Sequence, residues 1–492
     1  ERHVAEATCL TVGSSSSGLV YTGHADGRVC VWRWGERRVI ATVSVSVYRI
    51  LCMSEVLGHQ LWMGFSTGRI MVYDITARVW KLCKEWQAGE EVTGVAMCVD
   101  RLGAATMNGQ IIVVTALEDG RMGVWDGLCL EDWVEGRMET REAEYVSYTP
   151  LTMRLVTWNI DARKPKEVDA SAPDFVEHWV KGGDPHGPDL LFVGVQELVD
   201  LESKKVTASK SFLVSETKRF LEEDTTAHYR AWRDRLEKAL FNACPHTSYE
   251  LIHGRDMVGL SSWVYARSSV AAQISGVSAC QVKTGFGGLH GNKGALVVRF
   301  LVRDTSVCWV NCHLAAGQSQ TPQRNTDAAN ILRLSRLPAP PLTTVGSRHL
   351  WVDGGDGTRI TDHAVGLWSG DLNYRISMDR THVERAIQAR DWSVLWAADQ
   401  LRQQREANPL HALRSWTEPP LDFAPTYKYD RGSDTYDTSE KRRVPAWCDR
   451  ILHRSTPQVK LRRSGWEVRA SDHRPIAASF SLRVKVVDGP KE

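Results

Sequence analysis

Three short segments of this chain share one pattern at one interval, and that regularity constrains the fold more than anything else in the sequence. Gly27-Arg-Val-Cys-Val-Trp32, Gly68-Arg-Ile-Met-Val-Tyr73 and Gly109-Gln-Ile-Ile-Val-Val114 are spaced 41 residues apart. Each glycine follows a small or polar residue (Asp26, Thr67, Asn108) and opens a run of β-branched and aromatic residues. Asp-Gly and Asn-Gly supply the positive φ that a tight hairpin turn needs. Further β-rich runs precede the first two turns, Gly18-Leu-Val-Tyr-Thr-Gly23 and Gln60-Leu-Trp-Met-Gly64. A repeated antiparallel sheet is therefore expected in the first quarter of the chain.

A four-strand unit of about 40 residues resembles a WD-repeat propeller blade. Gly23-His24 and Val31-Trp32 stand where such blades carry Gly-His and Trp-Asp, and Tyr73-Asp74 does so in the second unit. Three blades cannot close a ring, so this reading places further blades upstream and implies a docking surface for a protein partner. Past Trp125-Asp126 the rhythm stops. Residues 1–127 are read as an incomplete propeller, 128–149 as a connector rich in Glu and Arg, 150–484 as a catalytic domain and 485–492 as a tail. In the third segment β runs such as Arg154–Trp158 and Leu190–Gly194 alternate with helical stretches, among them Ser211–Leu240 and Asp391–Glu406. The last of these puts Val394, Leu395, Ala398 and Leu401 on one core-facing stripe. The expected fold class is multi-domain, an all-β partial propeller followed by an α/β unit whose sheets are covered by helices.

Composition narrows the function. Of 492 residues, 42% are hydrophobic and 24% charged, which excludes wholesale disorder. Lys and Arg total 61 against 59 Asp and Glu, so the chain as a whole is no polycation for nucleic acid. Residues 426–475 nevertheless hold 12 Lys and Arg against 7 Asp and Glu, a local positive excess suited to an anionic ligand. No apolar run approaches the roughly 18–20 residues of a membrane span. Eleven cysteines, an odd number with no Cys-x-x-Cys pair, suit reduced thiols in a cytosolic setting and argue against a zinc finger.

Several β runs of the α/β segment end in residues a core would not select: Asn159, Gln196-Glu197, Asn311 with His313, Asp371 with Asn373, and Asp472-His473 before the last strand. Strand ends of one sheet converge on one crevice, so these groups are expected to meet. Oxygen-rich ligands favour a hard cation such as Mg²⁺. Histidines beside it suit stabilisation of phosphoryl charge or proton transfer.

Taken together, Lys283-Thr-Gly-Phe-Gly-Gly-Leu-His-Gly-Asn-Lys-Gly294, Asn311-Cys-His-Leu-Ala-Ala-Gly317, Gly370-Asp-Leu-Asn-Tyr-Arg375, Pro425-Thr-Tyr-Lys-Tyr429 and Arg443-Val-Pro-Ala-Trp-Cys-Asp-Arg-Ile-Leu452 resemble the inositol polyphosphate 5-phosphatase family. That family belongs to the endonuclease/exonuclease/phosphatase fold of DNase I-like enzymes, a two-sheet sandwich. The resemblance runs from Leu151 to Leu482. One departure is Asn159-Ile-Asp-Ala162, where the family usually has Asn-Val-Asn-Gly. The resemblance implies that Glu197 ligates Mg²⁺, with Asn159 and Asp472 helping to position it, and that Asp371 orients or deprotonates the attacking water. It implies that Asn373, His313 and His473 hold the scissile phosphate, with Asp449 fixing the His473 ring. Asn292 and Lys293 would face an inositol 1-phosphate. Tyr427, Lys428, Lys441 and Arg443, with Arg450 adjoining, would grip a 4-phosphate, a task that suits Arg forks and Lys point charges.

Two rival motifs fail on their own chemistry. Gly285–Gly291 has His where a dinucleotide fingerprint needs its third glycine, and Lys293 is not followed by Ser or Thr as a P-loop requires. Cys448-Asp-Arg-Ile-Leu-His-Arg454 matches a cysteine-phosphatase spacing but reads as strand rather than a phosphate-wrapping loop. The expectation is Mg²⁺-dependent removal of the 5-phosphate from phosphoinositides or soluble inositol polyphosphates by in-line attack of water. The partners are then a head group at a membrane surface or a soluble inositol phosphate, and the location is cytoplasmic, peripheral at the cytosolic face of membranes. A nuclease of the same fold and a propeller scaffold with a weakly active phosphatase domain are the alternatives.

Overall fold

The computed structural model describes residues 5–13, 18–56, 58–87, 95–100, 112–117, 120, 122–127, 141–199, 214–285, 290–338, 350–352, 355–409, 411–418, 420–455, 460–465 and 468–488. Gly109, most of the expected connector and the centre of the Gly-rich loop lie outside these residues. The chain divides into two compact units, Glu1–Glu142 and Ala143–Glu492.

The first unit holds three antiparallel sheets. β1 (Ala7–Val12), β2 (Leu19–His24), β3 (Arg28–Arg33) and β4 (Arg38–Ser44) form one in sequence order. β5 (Ile50–Val56), β6 (Gln60–Phe65), β7 (Arg69–Asp74) and β8 (Lys81–Gln87) form the next, and β9 (Val95–Asp100), β10 (Ile112–Leu117) and β11 (Met122–Asp126) the third. The hairpin turns at Gly27 and Gly68 have φ of 74° and 75°, as their sequences require. The turn expected at Gly109 lies outside the described residues, and a further turn of the same kind precedes β11. Gly120, with φ 84°, precedes β11, and Trp125 Nε1 donates to Thr115 Oγ1 at 2.9 Å. In the first sheet Trp32 makes the same 2.9 Å bond to Thr22 Oγ1. Gly120-Arg-Met-Gly-Val-Trp125 is thus the partner of Gly27-Arg-Val-Cys-Val-Trp32, and the spacing from Gly68 is longer than the repeat. Neighbouring sheets share apolar cores, Leu61, Met63 and Phe65 with Tyr21 and Val29 on one side, Trp62, Ile70 and Val72 with Val113 on the other. The described strands do not close into a ring.

The second unit is two facing sheets. β12 (Val146–Asn159), β13 (Leu190–Gln196), β14 (Tyr249–Met257) and β15 (Leu260–Arg267) join β21 (Lys460–Gly465) and β22 (Ile476–Val487) in the order β14-β15-β13-β12-β22-β21. β16 (Ile274–Gly285), β17 (His290–Val302), β18 (Thr305–His313), β19 (Val365–Asp371) and β20 (Asp449–Ser455) make the other sheet in that order. Pairing of β12 with β22 extends from Val146 to Val487, so the sandwich reaches into stretches expected to be connector and tail.

Each sheet has one parallel pair at its centre, β12 with β13 and β18 with β19. Their side chains alternate between two buried layers, which explains their near-continuous apolar runs. Leu155, Phe192, Trp309 and Leu367 point between the sheets. Val156, Trp158, Leu191 and Val193 face helices on the outside of one sheet, and Cys308, Val310 and Trp368 face those outside the other. Along the inward rows the residues turn polar toward one end: Thr157 then Asn159, Gly194 then Gln196, Asn311 then His313, Ser369 then Asp371. Gln196 donates to Thr157 and Asn311, and a Cβ on Gly194 would stand 2.7 Å from the Asn311 amide. The expected crevice is therefore built from two facing sheets rather than one.

The stretch Asp391–Glu406 is two helices, Trp392–Ala397 and Gln400–Ala407. Asp399 ends the first and caps the second by accepting from the Arg402 N–H at 2.9 Å. The break leaves Val394 at 42% exposure while Leu395 and Leu401 are buried, so the expected single stripe does not form. No helix among the described residues is long and apolar enough to cross a membrane.

One buried group outside the crevice makes stability depend on pH. His363 lies edge-on to Trp351 at 5.3 Å, and burial together with Arg299 lowers its pKa from 6.5 to about 4. Between those values the unfolded chain binds a proton that the folded one refuses, so stability falls as pH drops through the window. The loss is on the order of 3 kcal/mol once pH is below both values. Urea midpoints at pH 7 and pH 4.5 should diverge more in the wild type than in His363→Phe; equal divergence would exclude this origin.

Candidate active site

The polar rim assembles from strand ends in a register that decides which side chains meet. His313 and Asp371 are direct partners across the parallel β18–β19 pair, and Asp371 and Asp449 across β19–β20. Asp371 is 1% exposed and sits at the centre. Asn159 Nδ2 donates to its Oδ2 at 3.1 Å, and the Asn373 N–H donates to its Oδ1 at 3.0 Å. His313 Nε2 lies 3.3 Å and His473 Nε2 3.9 Å from Oδ2. Burial alone would raise the carboxyl, but the His313 hydrogen bond and the charges of His473 and Lys293 hold it far below the usual range.

The His473 ring is fixed from behind. Its Nδ1 stands 2.8 Å from Asp449 Oδ2, which also accepts from Thr426 Oγ1 at 2.6 Å. Burial opposes a charge here, yet the Asp449 carboxylate beside the ring holds His473 well above its ordinary value, which favours the imidazolium. Tyr427 packs against it with ring centroids 4.5 Å apart, and Arg375 lies 4.4 Å over the other ring, Tyr427. Arg375 also donates to the backbone and side-chain oxygens of Asn373, whose amide nitrogen donates to Leu314 O at 3.1 Å. Arg375 had no assigned role in the sequence; its place two residues beyond Asn373 was the available signal.

Glu197, His313 and Asp371 bring one ligand atom each within 4.8 Å of one another. Glu197 differs from its neighbours. Its side chain is 45% exposed, 3.7 Å from His313 Nε2, with no hydrogen bond to another described residue. It follows β13 with φ 53°, a left-handed turn that lifts the carboxylate off the strand. An open carboxylate beside buried oxygen donors fits a hard divalent cation. Asp472, also expected near the metal, is buried and ion-paired with Lys428 Nζ.

The expected substrate residues divide. Lys293 Nζ lies 2.5 Å from His313 Nε2, at the reacting cluster itself, and Asn292 is half-buried with no partner for its Oδ1 among the described residues. Lys441 is exposed, and Arg443 is half-exposed 3.8 Å from Asp437. Asp437 shapes this loop by accepting from the backbone of Ser439 and Arg443. Arg450 does not belong to the grip. Successive strand residues face opposite ways, so with Asp449 inward Arg450 points outward. There it is completely buried, 2.9 Å from Asp399 and paired with Glu418. Cys448 is also fully buried, its thiol pushed up by burial, so it is no nucleophile.

Two facing sheets with acids, imidazoles and amides gathered on one rim are the architecture of metal-assisted phosphoesterases of the DNase I-like type. Residues 156–479 match the model of the endonuclease/exonuclease/phosphatase family 2. The solved structure of a synaptojanin inositol polyphosphate 5-phosphatase domain, in complex with inositol (1,4)-bisphosphate and calcium ion, superposes with a TM-score of 0.58 at 28% identity. The match covers 73% of this chain and 92% of that one. Among curated proteins, a Schizosaccharomyces pombe chain described as "Probable inositol polyphosphate 5-phosphatase" is 36% identical over 99% of this chain and 41% of its own length. Type II inositol 1,4,5-trisphosphate 5-phosphatase of Mus musculus is 33% identical over 72% of this chain and 32% of its own. The chain therefore belongs to the endonuclease/exonuclease/phosphatase family 2, in its inositol polyphosphate 5-phosphatase branch. It spans less than half the length of these curated relatives.

Proposed function

We propose that this chain removes the 5-phosphate from phosphoinositides, or from soluble inositol polyphosphates, by in-line attack of water with Mg²⁺ as cofactor. The observation that carries the reading is the open Glu197 carboxylate within 4.8 Å of the His313 and Asp371 ligand atoms. Glu197 would hold the cation, with Asn159 and Asp472 beside it, and the bound cation would neutralise phosphate charge. Asp371, ionised and fixed by Asn159 and the Asn373 N–H, orients the attacking water; so acidic a carboxylate is better suited to orienting than to holding a proton. His473, kept cationic by Asp449, meets the negative charge that builds on the phosphoryl oxygens, together with His313 and Asn373. Lys428, Lys441 and Arg443 supply cations for a second phosphate, and Asn292 with Lys293 for a third group.

In this reading the N-terminal sheets are blades of a WD-like propeller that docks a protein partner, and the catalytic unit works at the cytosolic face of a membrane without a span of its own. Phosphate release from phosphatidylinositol 4,5-bisphosphate vesicles and from inositol 1,4,5-trisphosphate, with and without Mg²⁺, tests the proposal. Release is expected only with the metal, and release indifferent to it would end the reading.

A further inference from the structure

The loop leaving β12 and the loop carrying Tyr427 and Lys428 are tied by an ion pair that belongs to neither set of expected site residues. Arg431 reaches Asp161 with two hydrogen bonds, Nε to Oδ2 at 2.5 Å and Nη2 to Oδ1 at 2.6 Å. Arg163 stands 3.7 Å from the same carboxylate, whose side chain is only 14% exposed. Two planar groups in a fork hold an angle as well as a distance, which a single Lys contact does not.

What Asp161 is attached to gives the pair its reach. Its backbone N–H donates to Asn159 Oδ1 at 3.1 Å, and Asn159 in turn holds Asp371. The N–H of Ala162 donates to the Glu197 carbonyl at 2.7 Å. Asp161 and Ala162 have φ of 51° and 58°, a left-handed conformation that non-glycine residues adopt only at a cost. On the other side Arg431 lies three residues beyond Lys428, and Gly432 N–H is bonded to Arg469 O at 2.8 Å. One end of the pair thus adjoins the groups around Asp371 and Glu197, and the other adjoins a phosphate-gripping lysine.

We infer that Asp161 and Arg431 form a strap that sets the spacing between the substrate grip and the reacting centre. Both are positioning residues, acting through Lys428 on one side and Asn159 on the other. The inference rests on the proposed 5-phosphatase reading, and its test separates the two. Asp161→Asn, Arg431→Gln, the double variant and Arg431→Lys are compared with the wild-type chain on inositol 1,4,5-trisphosphate with Mg²⁺. A lost grip is shared by ground and transition states, so each single variant should raise KM by about 3–10-fold with kcat within about twofold. The double variant should match the worse single, because both remove one interaction. Arg431→Lys should fall between, since it keeps charge without the fork. Thermal midpoints should stay within about 3 °C of wild type. Unchanged KM in both single variants, additive losses in the double, or a fall in kcat that follows the thermal midpoint would each overturn the strap. Binding of inositol 1,4-bisphosphate by calorimetry is the second readout. If the wild type binds it yet releases no phosphate from inositol 1,4,5-trisphosphate, the functional reading fails, and weakened binding in the variants still decides the strap.

Discussion

Asp371→Asn should lower kcat for phosphate release by about 10³-fold with KM changed by no more than about threefold, an effect in the range of a lost acid–base or electrostatic group. The substitution keeps the shape of the side chain and removes its charge. In the wild type that charge is what His313, His473 and Lys293 surround, and it is held ionised against burial by their hydrogen bonds and charges. An amide at this position would still accept from the Asn373 N–H, but it would present an NH₂ where either Asn159 Nδ2 or a histidine now donates. The attacking water would lose its acceptor. Initial rates at saturating Mg²⁺ across a range of substrate concentrations separate kcat from KM. A residual rate within tenfold of wild type would remove Asp371 from the reacting centre. The same variant is expected to bind inositol 1,4-bisphosphate within about threefold of wild type, because Lys428, Lys441 and Arg443 of the proposed grip are partnered elsewhere or exposed.

The position of Asp371 was readable from the sequence because its strand breaks a rule. Val365-Gly-Leu-Trp-Ser-Gly-Asp371 is buried throughout, and a strand buried on both faces has no reason to end in a carboxylate. The same holds for His313 at the end of β18 and Asn159 at the end of β12. Alternation is informative too, since the row Val365, Leu367, Ser369, Asp371 shows its passage from core to site residue by residue. The strand pattern by itself does not divide these strands between two sheets; only the family resemblance implies the two-sheet sandwich. Each sheet contributes one parallel pair, and either pair alone would read identically.

Other parts were hidden for definable reasons. An even interval points to Gly109, which lies outside the described residues, and is easier to see than a matching turn with extra residues before it. Gly120-Arg-Met-Gly-Val-Trp125 carries the stronger likeness to Gly27-Arg-Val-Cys-Val-Trp32, and the shared Trp–Thr hydrogen bond is its physical content. The break at Asp399 has a local cause, a capping carboxylate inside an apolar stripe, but its reason for being there is Arg450, 51 residues away. The strap between Asp161 and Arg431 spans 270 residues and involves two polar surface loops with no periodic pattern.

Arg450→Gln should destabilise the chain by about 3–5 kcal/mol, the cost of removing one partner from a buried ionic cluster, while KM for inositol 1,4,5-trisphosphate stays within about twofold. Sequence adjacency to Asp449 makes Arg450 look like a substrate residue, and the pleat of β20 turns it the other way. Its guanidinium, with no exposure, answers Asp399 and Glu418, both likewise buried. Glutamine would remove the buried cation that the two carboxylates share. Asp399, already raised by burial, would rise further, and a group with a raised folded pKa binds protons more readily folded than unfolded. The penalty should therefore be largest at neutral pH and shrink as pH falls toward the ordinary carboxylate range. Urea midpoints of Arg450→Gln and wild type at pH 7.5 and pH 5 measure that trend. A further variant that neutralises the cluster, Arg450→Met with Asp399→Asn and Glu418→Gln, should recover most of the loss, since Asn still caps the helix Gln400–Ala407 and no charge is left buried. A KM rise of tenfold in Arg450→Gln with its stability intact would return this arginine to the substrate grip.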